Sequence, residues 1–210
     1  MHRLFVGVEL PERVKTHLLM LMGGLDGTRW QAEHQLHLTL RFIGEVPAEQ
    51  AEDIRSVLST VSGAPFDVTL EGMGTFGKLR QPRTLWLGVQ DADPLKHLHE
   101  KIDQALVRAG LPPEQRKFKP HVTLARFRKP SFGKLDAYLE RHAGVSVPGF
   151  TVTRFTLFES HLCTDGARYD PVEIYPLDRL TPETPEDVFD LSEIGAAEGF
   201  YVEQQGVQIV

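Results

Sequence analysis

His37-Leu38-Thr39-Leu40 and His121-Val122-Thr123-Leu124 carry one pattern twice: histidine, aliphatic, threonine, leucine. Each lies in a run of strand-forming residues. Successive side chains on a strand point to opposite faces. His37 and Thr39 therefore share one face, as do His121 and Thr123, while Leu38, Leu40, Val122 and Leu124 point towards a core. Composition alone would give roughly 0.6 H-x-T triplets. Requiring the aliphatic and the leucine lowers that to roughly 0.03, so two copies are a signal.

The surrounding residues repeat too. Arg3 to Leu10 reads as a buried strand, closed by Pro11, which opens a helix to about Met22. Leu36 to Val46 is the first motif strand, followed by a helix from Ala48 to Val61 with Ala51, Ile54, Val57, Leu58 and Val61 on one face. Phe66–Met73 and Thr84–Val89 read as strands, with Gly74 to Pro82 as the loop between them. A helix over Asp93–Ala109 buries Leu95, Leu98, Ile102, Ala105 and Leu106. Phe118–Phe127 is the second motif strand, Phe132–His142 a short helix, and Phe150–Ser160 and Arg168–Tyr175 a closing strand pair. The order predicts an α+β class: a bilobal, pseudo-duplicated fold with two facing, mainly antiparallel sheets, outer helices and a central cleft holding both motifs.

The chain of 210 residues suits one large domain or two small lobes. We expect that domain over 1–180 and a flexible acidic tail over 181–210. Seven of the 29 acids lie past Thr181 with no Lys or Arg beside them, leaving 22 acids against 23 basic residues in the body. The net charge of −6 thus belongs to the tail. Between Arg108 and Lys134 there are eight Lys or Arg and one acid, Glu114. A basic surface around the second motif points to an anionic ligand, phosphate first. Arg116, Lys117, Lys119, Arg128 and Lys129 are the expected contacts for phosphates beyond the reacting one. No stretch approaches the length of a membrane-spanning run and the opening residues lack a signal-peptide pattern, so we expect neither a span nor a signal peptide. Cys163 is the single cysteine, which excludes an internal disulfide. A cytoplasmic location follows as the expectation, with no membrane partner.

Two imidazoles facing each other across a cleft make an acid–base pair near neutral pH. They suit in-line displacement at phosphorus: one takes the proton of the attacking oxygen and the other gives a proton to the leaving oxygen. Threonine hydroxyls on the same face can donate to non-bridging oxygens, and an arginine can stabilise the added charge. This chemistry needs no metal and no cofactor.

The paired motifs resemble those of the two-histidine (2H) phosphoesterases. Arg3-Leu4-Phe5-Val6, Glu9-Leu10-Pro11, His37 through Val46, Leu85-Trp86-Leu87-Gly88, Phe118 through Arg126, and Arg168-Tyr169 with Pro171 narrow the resemblance. They are similar to the bacterial and archaeal RNA 2′,3′-cyclic phosphodiesterases, also called 2′-5′ RNA ligases, over about residues 1 to 178. The resemblance implies that His37 is the proton donor, His121 the proton acceptor, Thr39 and Thr123 phosphate ligands, and Arg126 a further functional residue. Strict alternation conflicts with the last point, because it puts Arg41 on the motif face and Arg126 on the opposite one. A bulge after Leu124 would resolve this. The implied activity is hydrolysis of RNA 2′,3′-cyclic phosphate ends to 2′-phosphates by a monomer, with 2′-5′ ligation as the reverse chemistry. A small cyclic nucleotide or ADP-ribose cyclic phosphate as substrate, or a non-catalytic RNA-binding module, are the alternatives.

The remaining candidates carry less. His97 and His99 are two apart on a helix, which splays them to different faces. His2, His17, His34, His142 and His161 have no evident partner, and Cys163 reads as incidental. Gly72, Gly74 and Gly77 lack the setting of a phosphate loop. Trp30, Phe42, Trp86, Phe127 and Tyr169 read as core, with one of them available to stack on a base.

Overall fold

The computed structural model describes residues 1–78, 81–128, 132–163 and 166–177. The expected acidic tail, 181–210, lies outside the described residues, as does Lys129.

The chain order is β1 (His2–Glu9), α1 (Glu12–Leu21), β2 (Thr28–Trp30), a 3-10 turn (Glu33–Gln35), β3 (His37–Val46), α2 (Ala48–Leu58), β4 (Phe66–Lys78), β5 (Gln81–Gln90), α3 (Asp93–Arg108), β6 (His121–Phe127), α4 (Phe132–Arg141), β7 (Ser146–Val152), β8 (Arg154–Cys163) and β9 (Gly166–Pro176). All strand pairings are antiparallel, so the α+β class with an antiparallel framework holds. The sheet order is β7-β4-β5-β6-β3-β1-β8-β9, with β2 added on β6. The two expected sheets are thus halves of one, β3-β1-β8-β9 and β6-β5-β4-β7. They meet where the motif strands touch, at Leu38 opposite Val122.

The helices carry the apolar stripes read from the sequence. On α3 the buried residues are Leu95, Leu98, Ile102, Ala105 and Leu106, and on α2 they are Ala51, Ile54 and Leu58. α3 packs on α2 and β3, and α1 packs on β7. Leu38, Leu40, Val122 and Leu124 are buried in the same core, as alternation requires.

Three elements differ from the sequence expectation. Gly74 to Pro82 is not a loop: β4 and β5 run on to Lys78 and Gln81 as a ladder. Gly74 permits this, since a Cβ there would lie 2.4 Å from the Trp86 ring that crosses over it. β2 spans three residues, too few to show a period, and is ordered by pairing with β6. The expected single strand Phe150–Ser160 is two strands, β7 and β8, broken at Thr153.

Candidate active site

Both motif strands break register at the same step. In β3, Thr39 pairs with Gly7 and Arg41 with Val6, leaving Leu40 extra. In β6, Thr123 pairs with Trp86 and Ala125 with Leu85, leaving Leu124 extra. These are paired bulges, and each extra residue has lost its ladder partner. Other donors satisfy their carbonyls: His99 Nδ1 reaches Leu40 O at 2.9 Å, and the Gln31 N–H donates to Leu124 O at 2.9 Å. Past each bulge the faces swap. Arg41 and Ala125 turn inward, and Phe42 and Arg126 turn out.

The bulges place the two arginines. Arg126 lines the cleft with His37, Thr39, His121 and Thr123. Arg41 does not: only 9% exposed, its Nε donates to Asp103 at 2.7 Å and its NH2 group to Pro112 O, with Glu114 3.5 Å away. The alternation that would have made Arg41 a phosphate ligand is overturned by the extra residue Leu40. Phe42 takes the place in the first half that Arg126 has in the second, and is 54% exposed.

The two imidazoles are held alike. His37 Nδ1 lies 2.8 Å from Gln35 O and His121 Nδ1 lies 2.7 Å from Lys119 O. A carbonyl only accepts, so Nδ1 carries the hydrogen in both rings and Nε2 is the basic nitrogen. Thr39 Oγ1 lies 3.0 Å from His37 Nε2. Gln35, buried in the turn before the motif, fixes the carbonyl: its Oε1 accepts from the Ala32 N–H and its Nε2 donates to Ala167 O.

Their surroundings differ. Phe5, Tyr169 and Phe158 pack around His37 at centroid distances of 4.9, 5.0 and 6.3 Å. Burial is the main cause that lowers the His37 pKa to about 4; the Gln35 carbonyl opposes it, and positive charge at His121 and Arg126 adds to it. His121 packs against Phe76 at 4.8 Å and Trp86 at 6.2 Å. Burial also lowers its pKa, the Lys119 carbonyl opposes, and the Lys119 ammonium adds.

The cleft encloses about 870 Å³, and among the described residues that line it are four arginines, Arg3, Arg29, Arg116 and Arg126, and no Asp or Glu. Arg29 stands directly opposite Arg126 across the β2–β6 pair. Like charges so placed repel unless an anion lies between them. Arg116 is held by Glu114 at 3.2 Å. The rest of the expected basic set divides: Lys117 and Lys119 line a neighbouring groove, and Arg128 lies beside Gly27, to whose carbonyl its N–H donates. Sequence reasoning missed Arg3, Arg29, Gln35 and Phe76. Only Gln35 left a trace, as an amide two residues before His37.

Three of the other histidines do structural work. His99 stacks on Phe118 at 4.1 Å, and His17 and His142 lie within hydrogen-bond reach of carbonyls one helical turn back. Among the described residues no three His, Cys, Asp or Glu side chains gather as a metal-holding group. No described helix is long and apolar enough to cross a membrane.

Comparison with known proteins agrees with this fold. The RNA 2′,3′-cyclic phosphodiesterase of Thermotoga maritima is 32% identical over 80% of this chain and 91% of its own. The crystal structure of TT0787 of Thermus thermophilus superposes with a TM-score of 0.69 and 29% identity, covering 83% of this chain and 97% of that one. E. coli LigT complexed with 3′-AMP gives a TM-score of 0.67 and 28% identity over 85% of this chain and 99% of that one. The model of the 2′-5′ RNA ligase superfamily matches residues 24–162, and the chain belongs to that superfamily.

Proposed function

We propose that this protein is a cytoplasmic, monomeric, metal-independent phosphodiesterase that opens 2′,3′-cyclic phosphate at RNA ends and leaves a 2′-phosphate. One observation carries the reading: two matched imidazoles, each with a basic Nε2, line a cleft whose described lining residues include four arginines and no carboxylate. In the reaction, water attacks phosphorus in line with the 3′ oxygen. His121 Nε2 takes the water's proton, and protonated His37 gives its Nε2 proton to the departing 3′ oxygen. The Thr39 and Thr123 hydroxyls donate to the non-bridging oxygens, and Arg126 offsets the added negative charge. The assignment of donor and acceptor follows the family resemblance. The lower pKa of His37 is compatible with it, because the phosphodiester anion favours the imidazolium beside it. Phe42, exposed at the cleft wall, offers a face for the terminal base. Ligation is the same chemistry with an RNA hydroxyl replacing water.

The test is to incubate the protein with a short RNA bearing a 2′,3′-cyclic phosphate in EDTA and identify the product. A 2′-phosphate end is expected. A 3′-phosphate end, or activity lost to EDTA and restored by one divalent ion, would overturn the mechanism. Turnover of a cyclic mononucleotide alone, with RNA inert, would favour the small-nucleotide reading. Binding of cyclic-ended RNA that is never opened would favour the non-catalytic module.

A further inference from the structure

A second groove of about 690 Å³ lies against the cleft, and Phe76 lines both. Its charge and its place point to one occupant. Among its described lining residues are Lys96, Lys117 and Lys119 and one acid, Glu71, with Lys96 paired to Asp93 at 2.7 Å, while Met73, Trp86 and Phe118 give it an aromatic and apolar floor. The Lys119 ammonium is seated 4.1 Å from the centroid of the Trp86 ring. Trp86 is buried and Phe118 is stacked on His99, so the recognition rests on the lysines: a positively charged groove that tracks the backbone is a recurring way of holding single-stranded nucleic acid.

The groove belongs to one histidine. Phe76 and Trp86 are the rings packed on His121, and Lys119 supplies the carbonyl that holds its Nδ1. The flank of His37 is instead filled by Phe5, Phe158 and Tyr169. In an in-line displacement the attacking and leaving oxygens lie on opposite sides of phosphorus. The leaving 3′ oxygen is part of the terminal ribose, so that ribose and the strand it ends lie on the His37 side. Space beside His121 opens towards the nucleophile.

We propose that this groove holds the acceptor strand: an RNA whose terminal hydroxyl attacks the cyclic phosphate in place of water. The inference rests on the reading of the cleft given above. The acceptor's 5′ oxygen forms a bond to phosphorus as the bond from phosphorus to the 3′ oxygen breaks. The hydroxyl proton passes to His121 Nε2, and His37 gives a proton to the 3′ oxygen. The product is a 2′-5′ phosphodiester beside a free 3′ hydroxyl, with no net proton and no co-reactant required. Lys96, Lys117 and Lys119 hold the acceptor's phosphates.

Binding tests this apart from catalysis. The probes are a 3′-fluorescein trinucleotide with a 5′ hydroxyl and an unlabelled nucleoside 2′-phosphate, which fills the cleft as product. The trinucleotide is expected to bind protein already saturated with the mononucleotide. The double variant Lys96→Glu/Lys117→Glu should weaken the trinucleotide at least tenfold relative to the mononucleotide, and Lys96→Ala/Lys117→Ala should do so less. With cyclic-ended RNA present, the ratio of joined to hydrolysed product should fall at least tenfold in the charge-reversal variant. Displacement of the trinucleotide by the mononucleotide, or equal weakening of both, would overturn the proposal. So would a variant that weakens the cyclic-ended strand and spares the acceptor, which would put the donor strand in the groove and exchange the histidine roles. Failure of the cleft reading shows separately, as absence of all hydrolysis, and the binding arm still decides the groove.

Discussion

His37 is neutral in the free protein above about pH 4, yet the proposed reaction begins with it charged. The proton must therefore arrive with the substrate. Calorimetric binding of a nucleoside 2′-phosphate at pH 7, in buffers of different ionisation enthalpy, should show net proton uptake, which the His37→Gln variant should reduce. The same shift governs stability. Between about pH 4 and the unfolded value of 6.5, the unfolded chain holds a proton on His37 that the folded one lacks. Stability is thus complete above that window and is lost as pH falls through it. His121 acts in the same direction. Urea unfolding from pH 4 to 7 should give a slope that His37→Gln flattens. The two arginines should separate cleanly. Arg126→Ala should lower kcat/KM at least ~100-fold with little change in Tm. Arg41→Ala leaves Asp103 without its cation, while Glu114 keeps Arg116, and should cost about 2–3 kcal/mol of stability. Alternation alone ranks these residues the wrong way round. The histidines and threonines are readable because they precede the bulge; the arginines follow it, and a bulge is set by the partner strand.

At the scale of elements, α3 was legible because a helix closes its own hydrogen bonds and its stripe follows from local spacing. β2 was not, since three residues take their conformation from β6. The β4–β5 ladder was hidden for a related reason. Its glycines read as a loop, whereas Gly74 is needed to let the Trp86 ring cross the strand. Gly74→Ala should push that ring aside, lower stability by about 1–3 kcal/mol, and slow turnover by disturbing the packing of Phe76 and Trp86 on His121. Thermal unfolding paired with kinetics would check it, and an unchanged Tm would count against the account. His99, which the spacing left without a role, has one in the element beneath it. His99→Leu removes the donor from Leu40 O and should destabilise the first bulge by about 1–3 kcal/mol.

For the molecule as a whole, the duplication in the sequence is a true guide to the cleft but not to which segments build each half. The acidic tail has no Lys or Arg and no apolar period. Deleting 181–210 should therefore leave Tm and kcat/KM within about twofold of the full chain, measured side by side. β7 and β8 follow each other across Thr153, yet β7 borders β4 in one half and β8 borders β1 in the other. Apart from β2, the half built of β4 to β7 is one stretch of chain, whereas β1, β3, β8 and β9 come from segments on either side of it. On the ribosome, β1 emerges before β8 and must wait for it, and His37 is made long before its neighbours Phe158 and Tyr169. A nascent chain halted before Arg154 holds both motifs but lacks the strand that flanks β1, and should be cut readily by protease. Both histidines are made before the strand that lets the first of them work.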